Sequence, residues 1–272
     1  MQAKKKNLMR KELSIAVEAA LEAGKAIMKI YESGDFDVTI KGDNSPLTRA
    51  DLASHEVIMN RLKATGIPVL SEEGKAIPVQ ERQAWETLWI VDPIDGTKEF
   101  IKRNGEFTVN IALVQSGRPV LGVIFVPVSG DLYFGTVQEG ARKATSGSAD
   151  WSPKEWMTQS QSIPFDQGKR PHTVVASRSH MSAETEDYIQ ALRDEFGEVE
   201  LISKGSSLKL CLVAEGRADC YPRFAPTMEW DTAAGQAICS SAGCEVLNWE
   251  TSEELDYNRD NLLNPWFLVR RL

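Results

Sequence analysis

The stretch Asp92-Pro93-Ile94-Asp95-Gly96-Thr97 follows directly on the apolar run Leu88–Val91, which predicts a buried strand. The proline restrains the backbone between the two aspartates, so such a corner can direct both carboxylates and the Ile94 carbonyl to one point. Oxygen ligands of this kind suit a hard cation such as Mg²⁺. Gly96 permits a tight turn into a helical segment over Lys98–Arg103, whose free N–H groups could hold a phosphate. Taken alone, the stretch is equally consistent with an ordinary Asp-Pro and Asp-Gly turn.

The rest of the first half predicts helices beside an antiparallel sheet. Apolar residues recur at helical spacing from Leu13 to Tyr31, which indicates a long amphipathic first helix. A second helix is expected to begin near Thr48–Asp51 and to end at Gly66-Ile67-Pro68. The predicted strands of this half, of which the third and fourth form a hairpin, are Val69–Ser71, Leu88–Val91, Phe107–Val114, Val120–Val126 and Tyr133–Val137.

The second half alternates between predicted strands and helices, which favours a layered α/β region. Its expected elements are strand Thr173–Ala176, helix Ala183–Phe196, strand Glu200–Ile202, helix Ser206–Glu215, strand Asp219–Tyr221, helix Thr232–Ala242 and strand Glu245–Asn248. Residues 143–170 lack periodicity and are rich in Ser, Gln, Pro and Lys, so we expect a surface excursion there. We predict an α/β (α+β layered) fold with an antiparallel and a mixed sheet, divided near residue 140 into halves 1–140 and 141–272 of one catalytic unit.

Composition restricts the class of protein. The chain has 272 residues, of which 42% are hydrophobic and 26% charged, as is ordinary for a globular enzyme. A net charge of −8 leaves no basic field to attract nucleic acid. Apolar runs are too short to span a bilayer, and the basic N-terminus lacks the apolar stretch of a secretion signal, so a cytoplasmic address is expected. The cluster Lys4–Lys6 leaves peripheral contact with the inner membrane open, and monomer and homodimer both stay open.

Three further acidic residues could lie near the turn Asp92–Thr97 (the Asp92 corner), but each also has an ordinary structural explanation. Glu72 follows the predicted strand Val69–Ser71, but paired glutamates are usually surface residues. Asp231 stands just before a predicted helix of small residues, where an aspartate is a common N-cap. Asp51 offers the same choice at the start of the second helix. Each residue alone therefore favours a structural role.

Together, these segments resemble the inositol monophosphatase superfamily of metal-dependent phosphatases. The superfamily is marked by an acidic pair after a strand, a D-P-[IL]-D-G-T loop and a late W-D-x-x-[AG]-G segment. The chain has these in that order at Glu72-Glu73, Asp92–Thr97 and Trp230–Gly235, and the resemblance extends over nearly its whole length. It implies a sugar-phosphatase-type α-β-α-β-α sandwich, hydrolysis of phosphate monoesters and inhibition by lithium. The acidic residues are then better explained as a metal site than as turns and caps.

The resemblance also implies a role for each residue of these motifs. The ligands that it implies for two Mg²⁺ ions are Glu72, Asp92, the Ile94 carbonyl, Asp95 and Asp231. Asp92 is shared between the two ions, and a third, weaker ion near Glu72 makes two to three in all. Thr97 and Asp51 match the pair that orients and deprotonates the attacking water. With Glu72 they form the expected catalytic set.

Within the superfamily, the chain is most similar to the bisphosphate nucleotidases. The segments that carry this similarity are Lys98–Thr108, Ser177–His180, Gly205–Lys209 and Tyr221–Arg223. Arg223 stands near the position where inositol monophosphatases have a glutamate, and a guanidinium suits a second phosphate better than a polyol. The expected substrate-binding residues are Gly96, Thr97, Ser179, His180, Ser206, Ser207, Lys209, Arg223 and Asp231.

The reaction implied by this similarity is hydrolysis of the 3′-phosphate of adenosine 3′,5′-bisphosphate to AMP, which would clear a by-product of sulfate assimilation. The substance 3′-phosphoadenosine 5′-phosphosulfate is an expected second substrate. Inositol monophosphate and fructose 1,6-bisphosphate stay open as alternatives with the same chemistry. A non-catalytic sensor of nucleotide and metal is the alternative of another class, but such a protein would be expected to lack a ligand or the pair Thr97 and Asp51, which are present here.

Overall fold

The computed structural model describes residues 2–42, 45–145, 155–176 and 182–272, with side chains from Met9 onward. Its helices are α1 (Gln2–Ser33), α2 (Arg49–Leu62), α3 (Val79–Gln83), α4 (Thr97–Ile101), α5 (Glu155–Gln159), α6 (Ala183–Phe196), α7 (Leu208–Ala214) and α8 (Glu229–Ser241). The two helices predicted for the N-terminal region are confirmed. The hydroxyl of Thr48 caps α2, and a short 3₁₀ turn after it ends at Gly66 with a left-handed φ of 68°. Among the residues that the structure describes, none of the helices combines the length and the apolar composition that a membrane span requires.

The first sheet is buried on both faces. The strands up to residue 163 are β1 (Thr39–Ile40), β2 (Pro46–Leu47), β3 (Val69–Ser71), β4 (Thr87–Asp95), β5 (Thr108–Gln115), β6 (Arg118–Val126), β7 (Asp131–Thr136), β8 (Gly140–Thr145) and β9 (Gln161–Ile163). β1 and β2 form a small ribbon, whereas β3 to β9 lie in chain order in one seven-stranded sheet. β3 pairs with β4 in parallel, and each later pair is antiparallel. Trp89 and Val91 of β4 pack into the hydrophobic core on one face of the sheet, and Ile90 packs into the core on the other face. Apolar residues are therefore needed on both faces of this strand.

The second sheet is mixed. Its strands are β10 (His172–Ala176), β11 (Val199–Ser203), β12 (Cys220–Arg223), β13 (Cys244–Asn248) and β14 (Phe267–Arg271). They lie in the order β11-β10-β12-β14-β13. β11, β10 and β12 are parallel, whereas β14 pairs antiparallel with β12 and with β13. The parallel strands are joined through helices, as the predicted alternation requires.

Helices and sheets stack in five layers, which confirms the predicted α-β-α-β-α sandwich. α1 and α2 cover one face of the seven-stranded sheet, α7 and α8 lie between the two sheets, and α6 covers the outer face of the second sheet. Two glycines permit close packing on the first sheet. A Cβ on Gly24 of α1 would collide with the Phe125 ring, and a Cβ on Gly122 of β6 would collide with the Ala234 carbonyl of α8.

The structure departs from the sequence-based expectations in the middle of the chain and at its end. Interpreting residues 143–170 as a surface excursion is wrong for β8 and β9, which extend the first sheet, and for α5, whose Trp156 packs edge-on against Phe134. Both strands are polar, which hid them. Residues 164–170, in contrast, form neither helix nor strand. The change of sheet consequently falls between Ile163 and His172, later than the expected division near 140. β14 was not predicted, although it pairs with two strands of the second sheet.

Candidate active site

The Asp92 corner is a break in the sheet. β4 pairs with β5 so that Asp92 lies opposite Asn110 and Asp95 opposite Thr108, and this step of three residues against two is a bulge. The Asp92 side chain accepts a hydrogen bond from the Ile94 N–H at 3.0 Å, which fixes the carboxylate at the turn. Residues three positions apart point to opposite faces of a regular strand, and the bulge brings these two aspartates of β4 to one end of the sheet.

Asp231 approaches this corner from the second half of the chain. It lies in the first turn of α8, where its Oδ2 accepts the Met228 N–H at 2.8 Å. The expected N-cap position is therefore wrong: α8 begins earlier, at Glu229, and Asp231 instead binds the N–H of the N-cap residue Met228 from the third position of the helix. The buried Glu229 carboxylate accepts the N–H groups of Asn258 and Arg259. Among the described residues, Asp92, Asp95 and Asp231 form a cluster whose ligand oxygens all lie within 4.8 Å of one another.

The electrostatics of this cluster call for a cation. Burial, followed by the charges of Glu72, Asp95 and Asp231, raises the pKa of Asp92 well above its usual range. Burial and then the charge of Asp95 raise the pKa of Asp231 to about 8. Carboxylates so close together are fully ionised only when positive charge lies between them, and an all-oxygen set suits Mg²⁺. The residues present therefore fit a divalent cation.

Glu72 lies beside the cluster and is bound to a lysine that the sequence analysis missed. The parallel pairing of β3 with β4 places it next to Asp92, with the Glu72 N–H on the Val91 carbonyl at 3.1 Å. Lys41, at the end of the β1 strand, donates to Glu72 Oε1 at 2.9 Å and also to Glu73. Burial raises the pKa of Glu72, and its bonds to Lys41 oppose this increase. The single positive charge of Lys41 thus offsets one of the two negative charges of Glu72 and Glu73.

Asp51 and Thr97 form the pair that the sequence analysis predicted. The Thr97 hydroxyl donates to Asp51 Oδ1 at 3.1 Å. The other oxygen of Asp51 accepts the N–H and the hydroxyl of Thr48 at 2.7 and 2.6 Å, which completes the cap of α2. Asp51 is 1% exposed, and its burial raises its pKa in spite of the bonds from Thr48. Asp51 therefore caps α2 and also makes the contact with Thr97 that the predicted functional role requires.

A cavity of about 430 Å³ opens beside the carboxylate cluster. Its wall contains Asp95 and Asp231 from the carboxylate cluster and basic residues from both halves of the chain. The lining residues that concern the site are Asp95, Gly96, Lys98, Lys102, Ser206, Ser207, Lys209, Arg223 and Asp231. Lys98 and Lys102, for which a solvated surface role was the simpler interpretation, are exposed at its rim. The cavity thus combines negative charge at one part of its wall with positive charge at another.

Two basic side chains of the cavity wall, Lys209 and Arg223, are buried, and some polar atoms beside the cavity lack hydrogen-bond partners. Lys209 is 6% exposed, donates to the Ser206 carbonyl at 2.6 Å and lies 5.4 Å from the centre of the Tyr221 ring. Burial lowers its pKa to about 8, although nearby Asp95 opposes the change. In the part of the chain that the structure describes, only four buried side-chain polar atoms lack a hydrogen-bond partner, and Ser206 Oγ and Arg223 Nε are two of them. Such groups mark a place where a ligand can bind.

The predicted substrate residues have different surroundings. Gly96, Ser206, Lys209 and Arg223 line the cavity. Ser207 lines it too, but its hydroxyl and N–H both donate to Asp95. Ser179 and His180 lie outside the described residues.

Two residues near the site escaped sequence analysis besides Lys41. Asn110 is a buried polar residue within an apolar strand, and it donates to Ser207 Oγ at 2.8 Å. Its polarity among apolar neighbours was a signal that could have been used. Glu106 accepts the Gly205 N–H at 2.9 Å and the Lys204 ammonium at 3.1 Å, which holds the loop before α7 against the loop after α4. Neither the sequence position nor the spacing of Glu106 indicates this contact.

Comparison with known proteins accounts for nearly the whole chain. The model of the inositol monophosphatase family matches residues 8–266. The chain belongs to the inositol monophosphatase family. Among curated members, the 3′(2′),5′-bisphosphate nucleotidase CysQ of Shigella flexneri is 49% identical over 257 residues, which cover 93% of this chain and 96% of that protein. CysQ of Escherichia coli K12 is 48% identical over the same length, with 93% and 96% covered.

Solved structures share the fold of this chain. CysQ from Bacteroides thetaiotaomicron has a TM-score of 0.88 and 53% sequence identity, covering 96% of this chain and 97% of its own. The extragenic suppressor protein suhB from Bartonella henselae has a TM-score of 0.72 and 25% identity, with 94% and 92% covered. The membership expected from the three motifs, and the layered α/β fold, are thereby confirmed.

Proposed function

We propose that this chain is a Mg²⁺-dependent 3′(2′),5′-bisphosphate nucleotidase, which hydrolyses adenosine 3′,5′-bisphosphate to AMP and phosphate. One observation carries the proposal: a single cavity is lined by the carboxylates Asp95 and Asp231 and by the cations Lys209 and Arg223. A substrate with two phosphates can place one at the carboxylate cluster and the other at the cations. Relatives that share about half of the residues, 49% and 48% identical, bear the name of this activity. We include 3′-phosphoadenosine 5′-phosphosulfate, which has the same 3′-phosphate, as a second substrate.

We assign two to three Mg²⁺ ions to the acidic residues. Asp92, Asp95 and Asp231 would hold them together with Glu72 and the Ile94 carbonyl. When bound, Mg²⁺ would acidify a water molecule and neutralise charge on the phosphoryl oxygens. The two halves of the chain act as one catalytic unit in this proposal, since Asp92 and Asp95 come from the first half and Asp231 from the second.

The attacking water is oriented by Thr97 and Asp51. Because Asp51 Oδ1 accepts the hydroxyl hydrogen of Thr97, the Thr97 oxygen is left to accept a hydrogen from water. Thr48 holds the second oxygen of Asp51, so the carboxylate cannot turn away. The raised pKa of this buried carboxyl makes it a stronger base. The water oxygen bonds to phosphorus while the bond from phosphorus to the 3′-oxygen breaks. One proton of the water passes to the Thr97–Asp51 pair, and the leaving 3′-oxygen takes up a proton from solvent to become the 3′-hydroxyl of AMP.

The second phosphate is bound by the basic part of the cavity. The Arg223 guanidinium can hold a phosphate through two parallel hydrogen bonds, whereas a neutral polyol offers no such partner. Lys209 is mostly protonated at pH 7, since its pKa lies at about 8. Ser206 Oγ and Arg223 Nε, both buried and unpartnered, would gain hydrogen bonds from the bound nucleotide. These contacts favour a substrate with a second phosphate over inositol monophosphate.

A non-catalytic sensor is the less favoured alternative. A protein that only binds nucleotide and metal does not need the Thr97–Asp51 contact, yet this contact is formed at 3.1 Å. Removal of a by-product of sulfate assimilation, a cytoplasmic address and a monomeric or dimeric state belong to the same proposal. Peripheral membrane contact through Lys4–Lys6 stays a prediction, since those side chains lie outside the described residues.

The proposal is tested by phosphate release from adenosine 3′,5′-bisphosphate, inositol 1-phosphate and fructose 1,6-bisphosphate, each with Mg²⁺, with EDTA and with Li⁺. We expect strong preference for the bisphosphonucleoside, loss of activity with EDTA and inhibition by Li⁺. Preference for inositol phosphate would keep the metal chemistry and refute the assignment of Arg223 and Lys209. Nucleotide binding without release from any substrate would support the sensor.

A further inference from the structure

Ser207 faces a metal-binding carboxylate rather than open space. Its side chain belongs to a residue that is 1% exposed, at the turn into α7. The Ser207 N–H and hydroxyl lie 2.5 and 2.7 Å from Asp95 Oδ2, and the hydroxyl also lies 2.8 Å from the Asp231 carbonyl. Ser207 therefore touches both of the segments that deliver the acidic cluster.

The direction of these hydrogen bonds is set by β5. The Thr108 hydroxyl donates to Asn110 Oδ1 at 2.9 Å, and Asn110 Nδ2 donates to Ser207 Oγ at 2.8 Å. Because Ser207 Oγ already accepts from Asn110, its one hydrogen is left to be donated. A bond to the Asp95 carboxylate is charge-assisted and therefore stronger than one to the Asp231 carbonyl. Thr108, Asn110 and Ser207 thus form a chain of donors that ends on Asp95.

The burial of these residues prevents water from taking the place of a partner in the hydrogen-bond chain. Thr108 is 0% exposed and Asn110 1% exposed, so water cannot easily replace a lost partner. The two residues also lie directly opposite Asp95 and Asp92 in the β4–β5 pairing. The same strand therefore fixes the bulge of β4 and the orientation of a carboxylate that projects from it.

We propose that Thr108, Asn110 and Ser207 are positioning residues that fix Asp95 for metal binding. With Oδ2 held by two donors of Ser207, Oδ1 is the oxygen of Asp95 that is left for a cation. The adjacent serines then have separate tasks: Ser206 serves the nucleotide and Ser207 serves the metal site. The inference rests on the proposed function, because it assumes that the acidic cluster binds Mg²⁺.

The direct test is metal affinity without substrate. Isothermal titration of Ser207→Ala with Mg²⁺, and with Mn²⁺ as a second probe, should show binding weaker by about 10-fold to 100-fold, the usual effect of losing a residue that orients a ligand. The neighbouring Ser206→Ala is the matched control and should bind either ion within about twofold of the parent. In turnover, Ser207→Ala should raise the Mg²⁺ concentration for half-maximal rate and leave the KM for nucleotide unchanged at saturating Mg²⁺.

The connection through β5 is tested by a double-mutant cycle. Thr108→Val keeps the side-chain volume and should weaken Mg²⁺ binding by about threefold in the parent, and have no further effect in Ser207→Ala. Parent-like Mg²⁺ affinity of Ser207→Ala, equal weakening in Ser206→Ala, or additive effects in the cycle would overturn the proposal. If the parent itself binds neither Mg²⁺ nor Mn²⁺, the proposed function fails instead, so the two failures are distinguishable. Thermal unfolding in EDTA checks that each variant is folded.

Discussion

Replacing Asp231 with asparagine removes one of three crowded carboxylates and keeps the size of the side chain. The asparagine carbonyl can still accept the Met228 N–H, which Asp231 accepts at 2.8 Å, so α8 keeps its first turn. The half-buried Asp231 lies with Asp92 and Asp95 in a cluster spanning less than 4.8 Å. In the absence of metal, its negative charge therefore opposes folding. We expect Asp231→Asn to stabilise the metal-free protein, in contrast to most substitutions at buried positions.

The stability difference between Asp231→Asn and the parent depends on pH, and the raised pKa of Asp231 gives the sign of this dependence. The pKa of Asp231 is raised from 3.8 to about 8, first by burial and then by the charge of Asp95. A raised folded-state pKa contributes stability that is present below pH 3.8 and is lost as pH rises through about 8. At about 1.4 kcal/mol per pH unit, the metal-free parent would lose about 4 kcal/mol of unfolding free energy between pH 5 and pH 8 if the charges were not screened. Solvent in the open cavity screens the charges, so we expect about 2 kcal/mol.

The assay is urea unfolding of parent and Asp231→Asn in EDTA at pH 5, 6.5 and 8. The difference in unfolding free energy should grow in favour of the variant by about 2 kcal/mol from pH 5 to pH 8. With Mg²⁺ the order should reverse, because the parent gains stability from the bound ion and the variant does not. A difference that stays constant or shrinks as pH rises would refute the charge-crowding argument.

Three further predictions concern the substrate, the water and the metal. Arg223→Glu should lower kcat/KM for adenosine 3′,5′-bisphosphate by about 100-fold and that for p-nitrophenyl phosphate by less than about threefold; equal losses would contradict a second-phosphate site. Thr97→Val should lower kcat by about 100-fold with Mg²⁺ affinity retained, and a parent-like kcat would exclude Thr97 from the mechanism. Lys41→Met should tighten Mg²⁺ binding by about fivefold in calorimetry, because the ammonium 2.9 Å from Glu72 no longer competes; weaker binding would contradict this explanation.

Elements whose limits depend on local chemistry were predictable from the sequence. The helix α6 begins and ends where predicted, because the Ser182 side chain caps its start and Gly197 follows its last residue. The hairpin of β5 and β6 was predictable since Ser116 and Gly117 adopt positive φ values of 48° and 77° at the turn. The corner from Asp92 to Thr97 was recognisable because its proline and glycine restrict the backbone whatever surrounds them.

Elements that depend on distant contacts were not predictable in this way. β14 owes its place to pairing with β12 and β13, since the short apolar run after the Asn264-Pro265 turn signal does not by itself identify a strand. The bond from Lys41 to Glu72 joins residues 31 positions apart, through a ribbon of only two residues per strand. The buried carboxylate of Glu229 in α8 is bound by backbone groups about 30 residues later. Each of these features requires knowledge of the assembled fold.

The aspartates of the site show why structural and functional explanations were hard to separate in the sequence. Asp51 binds Thr48 with Oδ2 and Thr97 with Oδ1, so the cap and the catalytic contact use different oxygens. Asp92 likewise accepts a backbone N–H with Oδ1, Asp95 accepts two donors with Oδ2, and Asp231 accepts one with Oδ2. In each case one oxygen serves the fold, and the other is left for a cation or a hydroxyl. A common capping or turn residue is therefore no argument against a functional role. It also follows that an Asp→Asn change at Asp95 or Asp231 can keep the anchoring oxygen, replace the ligand oxygen and abolish turnover while the fold persists.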